Sequence, residues 1–415
     1  MRILLWHGYL LGGTGSNVYT RALAREWSRA GHDVTVVCQE RHPERYDLGG
    51  APVVVPELPG GLLPTFVLDR YEGLEPRLLQ DVARSERDAY VAANAAALRA
   101  LMPADLVFAN HVLLGAPVGE ASGAPFRVKA HGSELEYSMR GRPELEWWGR
   151  ETLAAADATY VGSEHIRRVL DEVVGHVEPV VTVPPGVDVD EFRLQDRDAA
   201  LADLLREARA DPPNPGNAEE RLPDEGNAER LASFLAGDEP TVVYFGKLIE
   251  QKGVQILLEA MRQVDARLVV VGFGPYRPVL EAAAPERTLF TGPLEHRHLV
   301  NLLPLADATV VPSVFPEAFG MVAAEAAAAG SPPLVARHSG LAEVAAGLEE
   351  RYPEHLRSLA SFETGDADDL ARKLNALIAL PDADRASLRQ AARAAVVERW
   401  SWASVAARLL EPLAI

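Results

Sequence analysis

The chain has 415 residues, of which 48% are hydrophobic and 24% are charged, a balance typical of globular proteins with about two or three domains. Its formal net charge is -19, from 60 acidic and 41 basic residues, which argues against non-specific binding to nucleic acid or to an anionic membrane. Cys38 is the only cysteine, so an internal disulfide and a cysteine-based metal cluster are both excluded.

Neither a targeting segment nor a transmembrane helix is predicted. The apolar start at residues 1–6 is too short for a signal peptide and is interrupted by His7 and Gly8. No run of about twenty apolar residues occurs. We therefore expect a cytoplasmic protein, either a monomer or a homodimer.

Apolar runs alternate with amphipathic segments in the first part of the chain, residues 1–184. The pattern predicts buried parallel strands in a Rossmann-like domain. Strands are predicted at residues 2–6, 32–38, 106–109, 126–130, 158–161 and 180–183, with a glycine loop at 12–16 and a helix at 17–29. The proline- and glycine-rich residues 184–188 are expected to form a hinge.

The same alternation over residues 185–398 predicts a second Rossmann-like domain. Its strands are predicted at residues 241–245, 267–271, 288–290, 308–311 and 333–336, with helices at 254–264, after Gly320 and from Asp366. The polar residues 199–239 are expected to form an ordered surface excursion or a flexible loop without chemistry. The predicted fold class is α/β, with two Rossmann-like domains facing each other across a cleft and ligands outside the carboxyl ends of the strands.

Glu317 and Glu325 are separated by seven residues where a predicted strand leads into an alanine-rich helix. The backbone N–H groups of Ala318, Phe319, Gly320 and Met321 lie at the start of that helix, where they and the helix dipole favour a phosphate. The two carboxylates can accept hydrogen bonds from sugar hydroxyls. The segment therefore predicts a site for a sugar nucleotide, although a solvated pair of glutamates is the simpler alternative.

Lys247 and Lys252 lie on a predicted strand-to-helix loop that begins at Gly246. Both ammonium groups can reach one pyrophosphate and neutralise the charge of a leaving group. The alternative is a pair of solvated surface lysines. Gly272 and Gly274 follow the next predicted strand, where a nucleotide base could bind.

Candidate residues in the first domain also follow predicted strands. Gly12 and Gly13 precede the first helix without a full dinucleotide-binding fingerprint, so a tight turn is the alternative reading. Asn17, inside that helix, is a candidate acceptor contact. His131 follows the strand at 126–130, and His111 is a weaker candidate of the same kind; a structural histidine is the alternative for each.

Residues 313–325 and the lysine loop resemble motifs of the family 4 (group 1) glycosyltransferases, retaining enzymes of the GT-B architecture. The resemblance covers most of the chain apart from residues 52–104 and 199–239. It implies that the C-terminal domain binds a nucleoside-diphosphate sugar and that residues 399–415 form a helix crossing back to the N-terminal, acceptor-binding domain. It also implies that Gly12 and Gly13 approach the donor phosphate and the acceptor, and that His131 lies against the donor sugar. Glu317 is then expected to hold the sugar ring and Glu325 the ribose.

The chain departs from the family pattern at two positions. Lys247 stands where the family most often has arginine. Lysine keeps the positive charge but cannot form the two parallel hydrogen bonds of a guanidinium. Pro185 stands where the family often has asparagine. Asp188 and Asp190 mimic the metal-binding motif of another glycosyltransferase architecture, but they lie in the hinge and are interpreted as structural. No metal and no other cofactor is predicted, because lysines and a helix terminus can neutralise a diphosphate.

These observations predict a retaining, metal-independent glycosyltransferase whose catalytic residues are Lys247, Lys252, Glu317 and His131. The acceptor is expected to be a hydroxyl of a sugar, a small molecule or a glycolipid, with contacts from Gly12, Asn17 and His111. Residues 60–68 could line an acceptor pocket, touch a lipid or simply pack under a loop. The alternatives are a phosphorylase, a nucleotide-sugar epimerase, a non-catalytic sugar-nucleotide sensor and, last, a nicotinamide-dependent dehydrogenase.

Overall fold

The computed structural model describes residues 1–12, 15–66 and 73–413 and divides the chain into two compact units. Unit 1 comprises Met1–Gly186 together with Trp402–Ile415, and unit 2 comprises Val187–Ser401. The first crossing between the units falls inside the segment predicted as a hinge.

Unit 1 is built around a seven-stranded parallel sheet with the strand order β3-β2-β1-β6-β7-β8-β9. The strands are β1 (Arg2–Trp6), β2 (Asp33–Val37), β3 (Val53–Val54), β6 (Leu106–Asn110), β7 (Phe126–Lys129), β8 (Ala158–Val161) and β9 (Val180–Thr182), and a separate parallel pair is formed by β4 (Leu62–Thr65) and β5 (Glu75–Leu78). The helices are α1 (Gly15–Arg29), α2 (Arg84–Ala100), α3 (Gly115–Ser122), α4 (Pro143–Leu153) and α5 (Glu164–Val173).

The strands of unit 1 are apolar because both faces of the sheet are covered. In β1, Leu4 and Trp6 belong to one buried cluster, whereas Ile3 and Leu5 belong to another. This division follows from the alternation of side chains along a strand. Since β1 pairs with β2 on one side and β6 on the other, the strand order reverses there, and ligands of such sheets bind at that reversal.

Unit 2 contains a six-stranded parallel sheet with the order β12-β11-β10-β13-β14-β15. The strands are β10 (Thr241–Phe245), β11 (Arg267–Val271), β12 (Thr288–Phe290), β13 (Ala308–Val311), β14 (Pro333–Ala336) and β15 (Ser361–Phe362). The helices are α6 (Arg197–Arg209), α7 (Asn227–Phe234), α8 (Val254–Met261), α9 (Arg277–Ala283), α10 (His296–Leu302), α11 (Met321–Ala328), α12 (Ser339–Glu349), α13 (Ala367–Ile378) and α14 (Asp382–Arg399). The strand order reverses between β10 and β13.

The polar residues 199–239 differ from the expectation drawn from composition. They contribute most of α6 and all of α7, and Leu204 and Leu231 are fully buried in the core of unit 2. Neither a flexible loop nor a surface excursion describes them. All the prolines and all the glycines of this segment except Gly237 lie in the connection between the two helices.

The apolar residues 60–68 contribute to packing. Leu63 is fully buried in β4, and Phe66 joins the same cluster. This favours the packing alternative for residues 60–66, whereas residues 67 and 68 lie outside the described residues.

The chain ends with α15 (Trp402–Leu410), which belongs to unit 1. It packs on α1: the indole Nε1 of Trp27 donates to the Ala406 carbonyl at 2.9 Å, and the rings of Tyr19 and Trp402 meet edge to face. The closing helix is therefore part of the core of unit 1. Across residues 1–12, 15–66 and 73–413, none of the helices has the length and apolar character needed to cross a membrane.

Candidate functional site

Lys252 and Glu317 meet at the carboxyl edge of the unit 2 sheet, where the strand order reverses. Lys252 ends a short 3-10 turn after β10, and Glu317 lies in the loop after β13. Nζ of Lys252 is 2.5 Å from Oε1 of Glu317, and the side chains are 32% and 20% exposed. The two charges therefore neutralise each other at a place that solvent can still reach.

Helix α11 begins beside this ion pair. Gly320 precedes it with φ 108°, and a Cβ there would lie 2.5 Å from Leu341. The first N–H groups of a helix have no partner within the helix, so those of Gly320 and Met321 are available to an anion. The Phe319 side chain instead packs on Trp400 and is buried. Only the backbone of Ala318 and Phe319 can therefore serve the predicted donor site.

A chain of hydrogen bonds holds the backbone of Glu317. Its N–H donates to Oγ of Ser339 at 2.9 Å, and Oγ pairs with Nδ1 of His338 at 2.9 Å. Nε2 of His338 lies 2.6 Å from the Ser313 carbonyl, which can only accept, so the network assigns the proton to Nε2. Ser339 has φ 45°, a left-handed conformation uncommon for serine. Strained residues of this kind are often found at functional sites.

Glycines allow the loops after β10 and β11 to approach closely. A Cβ at Gly272 would lie 1.8 Å from the Gly246 carbonyl oxygen, and one at Gly274 would lie 2.4 Å from the Leu248 oxygen. These glycines are thus required by the fold, whatever binds above them. Lys247 lies on the same loop with an exposed side chain, and its carbonyl accepts a hydrogen bond from Tyr244.

Glu325 lies on the second turn of α11, close enough to His296 for their charges to interact. Burial raises the pKa of Glu325 to about 7, and the charge of His296 opposes that rise. Near neutral pH the carboxyl group can therefore either donate or accept a hydrogen bond. His296 itself is hydrogen-bonded to Glu191.

His131 follows β7 in unit 1. Its Nε2 lies 3.0 Å from Oδ1 of Asn110, whose Nδ2 donates to Thr20. Burial and the charges of Lys129 and His7 lower the pKa of His131 well below its ordinary value. The ring is therefore neutral, and because Nε2 donates to Asn110, Nδ1 is left as an acceptor.

Glu134 joins the loops that follow β6 and β7. Its carboxyl group accepts from the N–H of His131 at 2.8 Å and of Leu113 at 3.3 Å, and it lies 3.7 Å from Nδ1 of His111. Burial raises the pKa of Glu134 to about 8, against the effect of hydrogen bonds from backbone N–H groups. His111 is buried with φ 76°, and burial lowers its pKa well below the ordinary value.

Asn17 has both ends of its amide engaged within unit 1. Oδ1 is 2.8 Å from Nε2 of His7, and Nδ2 donates to the Gly12 carbonyl. The side chain is buried, so it supports the conformation of the loop at Gly12. Gly13, the other glycine predicted to approach the donor, lies outside the described residues.

Sequence reasoning placed Lys252 and Glu317 in one site, and the structure brings them into contact. It places Lys247 on the same loop without bringing it into that pair, and it places His131 in unit 1 beside His111. The support given by His7, Glu134 and Ser339 was not foreseen. The signal available for His7 was its position as a polar residue directly after the apolar residues 3–6.

The side chain of Asp188, one of the two hinge aspartates, accepts hydrogen bonds from the backbone. Oδ1 of Asp188 accepts from the N–H groups of Asp190 and Glu191, each at 3.2 Å. Within the described ranges, no group of three or more His, Cys, Asp or Glu side chains is arranged to hold a metal ion.

Two family models match the chain. The model for glycosyl transferases group 1 matches residues 227–395, and the model for Glycosyltransferase Family 4 matches residues 13–191. Residues 192–226 lie between the two matches.

Similar proteins support the same assignment. A D-inositol 3-phosphate glycosyltransferase of Xylanimonas cellulosilytica is 32% identical over 63% of this chain, which spans only 57% of that relative. A GDP-mannose-dependent alpha-(1-6)-phosphatidylinositol monomannoside mannosyltransferase of Mycobacterium tuberculosis is 29% identical over 71% of each chain. The structure of Anabaena HepE in complex with UDP and glucose matches 99% of this chain and 98% of its own, with a TM-score of 0.66 and 17% identity. The chain therefore has the GT-B fold and belongs to the group 1, family 4 glycosyltransferases.

Proposed function

We propose that this protein is a retaining glycosyltransferase that moves a sugar from a nucleoside diphosphate to an acceptor hydroxyl without a metal ion. The ion pair between Lys252 and Glu317, beside the start of α11, is the observation that supports this most. It places a cation, a carboxylate and backbone N–H groups at the sheet edge where ligands of such folds bind.

These groups suit the two halves of a sugar nucleotide. Lys252 and the N–H groups of Gly320 and Met321 would bind the diphosphate and stabilise the charge that develops on it as the bond to the sugar breaks. Glu317 would accept hydrogen bonds from hydroxyls of the sugar, while Ser339 fixes its backbone. Lys247, exposed on the same loop, would add a second positive charge.

The transfer is proposed to occur on one face of the sugar. The bond from the anomeric carbon to the phosphate oxygen breaks, and a bond to the acceptor oxygen forms on the same side. The acceptor proton passes to the departing phosphate oxygen, so that the diphosphate acts as the base. Lys252 promotes this step by stabilising the diphosphate as it leaves.

Unit 1 is proposed to supply the acceptor contacts through Gly12, Asn17 and His111, and His131 is retained among the catalytic residues because its neutral ring offers Nδ1 to a hydroxyl. The names of the two relatives suggest an acceptor that contains inositol, either as a phosphate or within a glycolipid. We therefore propose a polyol or glycolipid hydroxyl as the acceptor.

A panel of UDP-, GDP- and ADP-sugars tests the proposal, with thermal shift to detect binding and released nucleotide to detect turnover. One donor should raise the melting temperature and slowly release its diphosphate, with no loss after treatment with EDTA. Addition of an inositol-containing acceptor should accelerate release, and NMR of the product should show the anomeric configuration of the donor. Binding without release for any acceptor would indicate a sensor instead, and an inverted product would contradict retention.

A further inference from the structure

Residues 211–226, the connection between α6 and α7, lie against the loops that follow β11 and β12. This connection falls between the two family-model matches, which end at residue 191 and resume at residue 227. Its contacts are therefore a feature of this chain that the family models do not describe.

A buried carboxylate anchors the connection. Asp224, whose side chain is 2% exposed, accepts hydrogen bonds from both terminal nitrogens of Arg277, at 2.8 and 2.5 Å. Its backbone N–H donates to the carbonyl of Thr291 at 2.9 Å. Arg230 adds a second cation 3.5 Å from the same carboxylate. A bidentate pair with this little exposure fixes position and orientation together.

Asn214 makes the connection rigid from within. Its Nδ2 donates to the carbonyls of Glu219 and Pro223, each at 3.0 Å, and its Oδ1 accepts from the Glu219 N–H at 2.9 Å. The backbone N–H of Asn214 donates to the Glu225 carboxylate. The connection is thus held in one conformation before any ligand binds.

Arg221 is an exposed side chain of this connection. Its guanidinium carbon lies 5.8 Å from the ring centroid of Phe273, which is half-buried between Gly272 and Gly274. Within the described part of the chain, that guanidinium has no carboxylate or carbonyl partner. The guanidinium therefore lies over the aromatic ring, in a cation–π contact that a planar base could replace.

The position of this pair suits a nucleobase. A diphosphate bound at Lys252 lies at the end of β10, so the rest of the nucleotide must extend toward β11 or toward β14. The loop after β14 is closed by the contacts of Ser339 with Glu317, and a Cβ at Gly340 would lie 2.6 Å from Phe319. The loop after β11 also packs closely on the loop after β10, but its Phe273 ring is only half-buried and so offers the nucleotide a partly exposed surface in that direction.

We propose that Arg221 and Phe273 select the nucleobase of the donor, an inference that rests on the proposed function. The base stacks on Phe273 in place of the cation–π contact, and the displaced guanidinium of Arg221 donates hydrogen bonds to the base edge. A guanidinium only donates, so it favours a base edge that only accepts. Guanine presents O6 and N7 to such a fork, uracil offers a single carbonyl on each side, and adenine presents a donor beside N7. The order of affinity is then GDP, UDP, ADP.

Calorimetric titration of the full chain with GDP, UDP and ADP tests this inference. Arg221→Ala should weaken GDP binding about tenfold or more, the usual discrimination of a bidentate contact, with a smaller change for UDP and ADP. Arg221→Lys should behave like Arg221→Ala, because lysine keeps the charge but lacks the fork. Phe273→Ala should weaken all three nucleotides. Arg209→Ala removes an exposed arginine at the end of α6 and should change none of them.

The outcomes distinguish a failure of this inference from a failure of the proposed function. If none of the three nucleotides binds the wild-type chain, the proposed function and this inference both fail. If the wild type binds but prefers UDP or ADP to GDP, or if Arg221→Ala keeps the wild-type order, only the inference fails. An equal loss for all three nucleotides in Arg221→Ala would also overturn it, since that result indicates general charge attraction.

Discussion

Lys252 and Glu317 are 65 positions apart in the sequence, yet Nζ of one lies 2.5 Å from Oε1 of the other. The contact connects the loop after β10 to the loop after β13. A diphosphate that binds at this place introduces a third charge, so Lys252 would be shared between Glu317 and the phosphate. The arrangement orients the ammonium group before the substrate arrives, which is the condition for effective electrostatic stabilisation.

Lys252→Ala should therefore abolish most of the transfer and leave the fold intact. We expect kcat to fall by about 100-fold or more, the usual effect of removing one group that stabilises developing charge. The melting temperature should change little, because partly exposed ion pairs contribute only about 0–1 kcal/mol. Initial rates and thermal unfolding measure the two effects. Lys373→Ala, a change at a half-buried lysine on α13, is the control. Wild-type turnover in Lys252→Ala would remove its assigned role.

Ser339 allows two effects to be separated, because its side chain orders Glu317 while its backbone is strained. Ser339→Ala removes the acceptor and keeps the left-handed φ, whereas Ser339→Gly removes the acceptor and relieves the strain. Both should lower kcat/KM for the donor by about tenfold, the value of one lost hydrogen bond of about 1.4 kcal/mol. Only Ser339→Ala should also be less stable in urea. Full activity in both variants would show that the hydrogen bond does not position Glu317.

Glu134 should make the protein less stable as pH rises. Its pKa is raised by burial from an ordinary value of 4.5 to about 8. Between these values the unfolded chain releases a proton that the folded chain keeps, so stability is present below about pH 4.5 and is lost as pH rises through about 8. Glu134→Gln should flatten this decline.

The comparison is made by urea unfolding at several pH values across that window. The difference between wild type and Glu134→Gln isolates this carboxyl group from the other titrating residues of unit 1. Glu136→Gln, a change at an exposed neighbour, should retain the wild-type slope. A wild-type slope in Glu134→Gln would mean that Glu134 is ionised in the folded protein at neutral pH.

Gly253 connects the lysine loop to the loop after β13. It has φ 69°, and a Cβ would lie 1.9 Å from the Pro312 carbonyl oxygen. Gly365 has φ 84° with no atom within 4 Å of its added Cβ. Gly365→Ala should therefore cost only the left-handed strain of about 1–2 kcal/mol. Gly253→Ala should cost clearly more, because it adds a steric clash with backbone. If the two variants lose the same free energy of unfolding, measured by chemical denaturation, then the loop at Pro312 can move away from the added Cβ at no energetic cost.

Eleven of the fifteen strands in the described residues could be predicted almost to the residue, whereas β3, β4, β5 and β15 were not predicted. β1, β8, β10 and β11 have the predicted bounds because buried parallel strands are continuous apolar runs, interrupted where the chain leaves the sheet. The helices α6 and α7 were missed because a connection rich in proline, glycine and asparagine dominated the composition of the segment. Helical periodicity on either side of it was the better guide.

The candidate site was predictable where it depends on topology. Lys252 and Glu317 follow strands that flank the reversal of strand order, so their proximity follows from a doubly wound sheet. The cluster of His111, His131 and Glu134 depends on how two loops are folded over one another. Spacing in the sequence does not specify that packing, and neither does it reveal the burial that raises the pKa of Glu134.

Unit 1 is interrupted in the sequence by the whole of unit 2, and this has a consequence for biosynthesis. The α1 face that contains Tyr19 and Trp27 is covered only when α15 is available. A ribosome therefore completes unit 2 before it delivers the segment that finishes unit 1, the reverse of the usual order in which the first domain folds first. In a nascent chain that stops before Trp402, this aromatic surface of α1 would remain exposed, and chaperones and proteases would recognise the chain by it.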